Sequence, residues 1–201
     1  MVRLNYRPEI DCLRAIAVLA VIIYHANINI LDNLLFPGGF LGVDIFFVIS
    51  GYLITSIIYK EIITTENFSF IHFYQRRIRR IFPALLTVMI VSLPLAWFFL
   101  LPSSLVDFSK SIISAIGFSS NYYFHYSGQE YGAEKGLFLP FLHTWSLSVE
   151  EQYYILFPII LLFIFKYFRK YLIYFLITSF LISLGLAEIG SKTYPSSNFY
   201  F

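Results

Sequence analysis

The chain has 201 residues, of which 58% are hydrophobic, 20% aromatic and only 13% charged, with a mean hydropathy of +0.72. That balance excludes an ordinary soluble domain and defines a polytopic membrane protein. A formal net charge of +2, carried by basic residues that gather beside apolar runs, argues against a nucleic-acid partner. The single cysteine, Cys12, rules out an intrachain disulfide and a cysteine-built metal site.

Taken in chain order, Met1 to Pro8 shows no cleavage-site pattern, so the first apolar run reads as a retained helix. Hydropathy predicts five spans, near Ile10–Ile30, Phe40–Tyr59, Ile81–Leu101, Val149–Phe165 and Tyr171–Ala187, each close to the roughly 17–25 residues a bilayer crossing requires. The expected fold class is therefore all-α, a polytopic bundle of transmembrane helices. Between the third and fourth spans, Ser109–Phe124 is moderately apolar but rich in serine, and is expected to be interfacial or re-entrant. Ser127–Lys135 is the most polar external stretch, closed by Pro140.

Basic residues gather before span one (Arg3, Arg7), between spans two and three (Lys60, Arg76, Arg77, Arg79, Arg80) and between spans four and five (Lys166, Arg169, Lys170). The positive-inside rule makes these segments cytoplasmic, with the amino terminus inside and Phe201 outside. Lys192–Phe201 does not read as a natural domain end, so a truncated product is expected.

The first span carries Asp11, Arg14 and His25 among apolar residues. At about 100° per residue, the eleven steps from Arg14 to His25 bring the two side chains within roughly 20° of each other, about 16 Å apart along the helix. Asp11, Arg14, Val18, Ile22 and His25 thus form a seam. Placing Arg or Asp at mid-bilayer costs about 2.5–3.5 kcal/mol each, so the seam needs partners and points to function. The second span opens with Gly38, Gly39, Gly42 and Asp44, and has Gly51 further along. The glycines are explained by close helix packing. Asp44 is either half of a structural pair, with Arg14 or His25 as its natural partner, or a site residue.

Arg76, Arg77, Arg79 and Arg80 precede the third span. They read either as an anchor on lipid phosphates or as a guanidinium site for a soluble phosphorylated ligand, and spacing alone does not separate the two. In the approach to span four, Ser148 and Glu151 match a capping box, which gives Glu151 a structural reason at a helix start. Glu150 lacks one. It lies four residues before Tyr154, on the same helical face, where the two would hold a catalytic imidazole or a sugar hydroxyl. His143 reads as a loop histidine, with His72 and His125 weaker still. Four scattered histidines without ligand spacing give no metal site.

The run from Tyr6 through Asp11, Arg14 and Val18, the Arg14-to-His25 spacing, the glycine-rich stretch with Asp44, Ser50 and Gly51, the arginine cluster, and Trp145 through Tyr154 occur together and in order. In this combination the chain resembles the acyltransferase-3 family, membrane-bound O-acyltransferases of bacterial surface carbohydrates. The resemblance implies a bundle of about ten transmembrane helices, of which about five fall within this chain. Residues 1–201 are then the amino-terminal part of that domain, with the rest of the bundle and any periplasmic esterase-like domain absent. It also implies a multi-pass protein of the bacterial inner membrane that moves an acyl group, commonly acetyl, from acetyl-CoA to a hydroxyl of lipopolysaccharide O-antigen, peptidoglycan, exopolysaccharide or a lipid-linked sugar.

Residue by residue, Arg14 and His25 form the family's spaced Arg/His motif, and Arg77 with Arg80 its Arg-x-x-Arg pair, although Arg76 and Arg79 fit the same spacing. Cys12 stands where the family usually has glycine. On this reading the donor's phosphates fall to Arg77, Arg80 and Arg14, while His25 acts as general base or transient acyl carrier. Glu150 and Asp44 support the imidazole. Two alternatives stay open: a proton-coupled transporter or flippase-like protein using Asp11, Arg14, His25 and Asp44 as a pathway, and an inactive fragment that packs with other membrane subunits.

Overall fold

The computed structural model describes residues 6–30, 33–127, 139–193 and 200. The polar stretch expected to be external at Ser127–Lys135 lies, apart from its first residue, outside them, as does most of Lys192–Phe201. The described chain is helical, with one antiparallel bridge of two-residue strands, β1 (Asn29–Ile30) and β2 (Asn33–Leu34). It divides into two compact units, Met1–Phe68 and Ser69–Phe201. Among the described residues four helices are long and apolar enough to cross a membrane: Gly39–Thr65, Phe70–Phe99, Thr144–Tyr167 and Arg169–Thr193. The first of the five expected spans is a helix too, but one shortened and carrying Glu9, Asp11 and Arg14 within its eighteen residues.

In the first unit, α1 (Pro8–His25) starts on a proline whose missing N–H is harmless at that position. It ends at His25 rather than at Ile30, because Asn27 turns into the left-handed region at φ 51°. A 3-10 turn, Gly39–Leu41, leads into α2 (Gly42–Thr65). The two glycines are where α2 meets α1. A Cβ on Gly42 would lie 2.5 Å from the Ala17 carbonyl oxygen and 2.7 Å from Val21 Cγ2, and one on Gly39 would lie 2.6 Å from Tyr24 Cβ. Backbone therefore rests on backbone, as in small-residue contacts between membrane helices, and Ala17 is fully buried there.

In the second unit, α3 (Phe70–Phe99) begins eleven residues before the expected span, capped by Ser69, whose Oγ accepts from His72 N at 3.4 Å. The arginine cluster is therefore helical, not a loop. Pro83 and Pro94 lie inside α3, and Thr87 Oγ1 donates to the Pro83 carbonyl one turn earlier at 2.7 Å, which satisfies the hydroxyl within its own helix. α4 (Pro102–Ile116) packs on α3 through a core of Leu85, Met89, Ala96, Phe108, Ala115 and Phe141. Its fifteen residues reach only about 22 Å, short of the roughly 30 Å hydrocarbon layer. The helix then breaks at Gly117–Ser119, with Phe118 at φ 49°, before α5 (Ser120–Tyr126). The segment is thus two short helices around a break.

α6 (Thr144–Tyr167) begins five residues before the expected span, so Ser148 and Glu151 lie inside it. The capping-box reading is thereby corrected. Ser148 Oγ donates to the Thr144 carbonyl at 3.1 Å and accepts from Ser120 N at 3.1 Å, and Glu151 caps nothing. A 3-10 turn at Arg169–Tyr171 leads to α7 (Leu172–Thr193), which has no buried residue.

Gly42→Ala should destabilise the first unit by about 1–3 kcal/mol through overpacking. Gly38→Ala, where an added Cβ meets nothing within 4 Å, should stay within about 0.5 kcal/mol of the parent. Thermal unfolding of both variants in one detergent checks the contrast.

Candidate functional site

In the first unit, Arg14 and the chain around the start of α1 line a cavity of about 620 Å³ together with Tyr6, Arg7, Asp11, Tyr52 and Lys60. Arg14 Nη1 lies 3.6 Å from Asp11 Oδ1, one turn earlier on α1. Arg7 bridges the wall: its Nε donates to Glu9 Oε1 at 2.7 Å and its Nη1 donates to the Tyr52 hydroxyl on α2. Tyr6, Arg7, Tyr52 and Lys60 are additions that the sequence reading did not assign to a site. Tyr52 had no signal in the chain, because only the crossing of α2 over α1 brings it there.

His25 is the last residue of α1, exposed, with Nδ1 2.9 Å from the Val21 carbonyl. A carbonyl only accepts, so that contact places the proton on Nδ1 and the neutral ring's lone pair on Nε2. Asp44 is exposed in the first turn of α2, where the helix dipole favours a carboxylate. Arg14, which the sequence offered as a partner for Asp44, is paired with Asp11 instead.

In the second unit the four arginines are not equivalent. Arg76, Arg79 and Arg80 are exposed, whereas Arg77 is half-buried. The Arg77 guanidinium carbon lies 4.5 Å from the centre of the Tyr154 ring and 5.7 Å from that of Phe73. Arg80 and the carboxylates of Glu150 and Glu151 are within electrostatic range of it. The Tyr154 hydroxyl donates to Glu150 Oε1, so the i and i+4 pair read from the sequence is formed, and its ring serves Arg77. Glu151 is 8% exposed, and among the described residues no donor reaches its Oε1.

Around these groups runs a polar network that holds α6 against α4 and α5. Thr144 Oγ1 donates to Ser120 Oγ at 2.9 Å. Gln152 Nε2 donates to the Phe118 carbonyl at 2.8 Å and to Asn121 Oδ1 at 3.0 Å, which holds the left-handed Phe118 in place. Sequence reasoning missed this network: scattered Ser, Thr, Asn and Gln carry no pattern until three helices converge. His143 is exposed just before α6, His72 is exposed near the start of α3, and His125 lies 6.2 Å from the Tyr200 ring. No cluster of three metal-ligating side chains occurs among the described residues.

Four helices long and apolar enough to cross a membrane, among the described residues, define a polytopic membrane protein. The chain belongs to the acyltransferase-3 family, the Acyltransferase domain, whose match covers residues 7–201. Among curated relatives, the O-acetyltransferase OatA of Staphylococcus aureus strain NCTC 8325 is 40% identical over 199 residues, covering 98% of this chain and 32% of the relative. OatA of strain COL gives the same figures. The chain thus spans about a third of the length of these relatives. No solved structure matches it.

Replacing Gln152 with leucine should leave the Phe118 carbonyl and Asn121 without their shared partner. A loss of about 1–3 kcal/mol is expected, read as a lower unfolding midpoint of the purified chain.

Proposed function

We propose that this chain is the donor-side part of an integral-membrane O-acyltransferase that moves an acetyl group from acetyl-CoA to a hydroxyl of a cell-surface carbohydrate. Family membership supports the reaction class, and the name O-acetyltransferase carried by the S. aureus relatives supports acetyl as the group moved. The observation that carries the residue roles is the joint placement of Arg14 on a 620 Å³ cavity and His25 on the same helix, about 16 Å further along its axis. The protein sits in the inner membrane with its amino terminus cytoplasmic.

Arg14 in the first unit, and Arg77 with Arg80 in the second, supply guanidinium groups for the donor's phosphates. His25, with its lone pair on Nε2, takes the proton of the acceptor hydroxyl. The hydroxyl oxygen bonds to the thioester carbonyl carbon, the carbon–sulfur bond breaks, and the thiolate leaves with a proton returned to it. The products are an acetyl ester and the free thiol. Asp44 and Glu150 support this chemistry by charge compensation and orientation.

Acetyl-CoA binding to the purified chain in nanodiscs tests the donor site: Arg77→Ala and Arg14→Ala should each weaken it by about tenfold or more. Undiminished binding in both variants overturns the assignment, and ion-gradient-coupled flux without any acetyl-CoA binding replaces it with a transporter. In the longer protein, His25→Ala should abolish acetyl transfer while membrane insertion is retained, read by surface O-acetyl content beside membrane fractionation. Normal acetylation by that variant overturns the role of His25.

A further inference from the structure

Arg77 is set apart from the other three arginines by what it touches. Tyr154, 3% exposed, is the eleventh of the twenty-four residues of α6, so Arg77 meets that helix about 15 Å from its start. Arg77, the eighth residue of α3, rests on the aromatic face of Tyr154 part-way along α6, with Phe73 from its own helix near the same guanidinium, whereas an anchor on lipid headgroups would turn outward.

The ring beneath it is itself fixed. The Tyr154 hydroxyl donates to Glu150, and the Tyr74 hydroxyl donates to the Ile155 carbonyl at 3.1 Å, tying α3 to α6 at the same level. A guanidinium lying over an aromatic face is held by the ring's negative potential, and its N–H donors lie in its own plane, pointing outward from the edge. That edge is the fork that grips a phosphate with two parallel hydrogen bonds. Donation of the phenol proton toward a carboxylate enriches the ring and strengthens its hold.

We propose that Tyr154, held by Glu150, is a positioning residue that aims the guanidinium fork of Arg77. The ligand at that fork, the phosphate-bearing acyl donor, rests on the function proposed above; the aiming does not. Two readouts separate them in the full chain in nanodiscs: modification of Arg77 by phenylglyoxal, resolved to the residue by mass spectrometry, and the Kd of acetyl-CoA. Tyr154→Leu should speed Arg77 modification about threefold and raise the Kd about tenfold. Tyr154→Phe, which keeps the ring, should change both by less than the leucine variant does. Because leucine leaves a gap in a buried place, Glu150→Gln serves as a second variant that preserves volume, and a rise in Kd of about threefold is expected. Unchanged Arg77 reactivity in both Tyr154→Leu and Glu150→Gln, or a phenylalanine variant as impaired as leucine, overturns the positioning role. Faster Arg77 modification in Tyr154→Leu, combined with acetyl-CoA binding indifferent to Arg77→Lys, upholds the aiming and overturns the donor site.

Discussion

Every polar side chain on these apolar helices has to be answered from within reach, because a bilayer core offers no water to do it. In the first unit, Asp11 answers Arg14 one turn away, and Glu9 and Tyr52 answer Arg7. In the second, serine, threonine, asparagine and glutamine side chains close a network among α4, α5 and α6, and Arg77 is answered by an aromatic face. Glu151 Oε1, buried without a donor among the described residues, is the exception.

Close approach supplies the geometry that this demand requires. Gly39 and Gly42 bring the start of α2 onto the backbone of α1 near Ala17, Ala20 and Tyr24, and that contact builds one wall of the unit. Tyr52 then reaches back to Arg7 across the cavity that Arg14 lines. In the second unit the break at Phe118 plays the corresponding part. It turns the chain from α4 to α5, so that Ser120 and Asn121 face α6 where Thr144, Ser148 and Gln152 receive them.

Hydropathy located all five helical runs, yet it misplaced the starts of two of them. α3 starts at Phe70 and α6 at Thr144, well before the apolar stretches expected at Ile81 and Val149. A hydropathy reading sees the portion of a helix that suits lipid. The polar first turns, including the arginines of α3 and Ser146 to Glu151 of α6, are helical because they continue a hydrogen-bonded spiral, and among those arginines only Arg77 turns toward protein. The capping box at Ser148 failed for the same reason: its residue types were right, but the helix had already begun.

What the sequence by itself determined was the membrane class, the helical fold and the Arg14-to-His25 seam, since composition and a 3.6-residue period act along the chain and need no partner. It also resolved the i, i+4 pair of Glu150 and Tyr154, because one helix suffices to form it. Only the tertiary structure decided that Tyr52 lines the cavity beside Arg7 and that Arg77 is the inward arginine of four. Those choices rest on which residues of separate helices come level with one another, and that is set by packing between surfaces far apart in the chain.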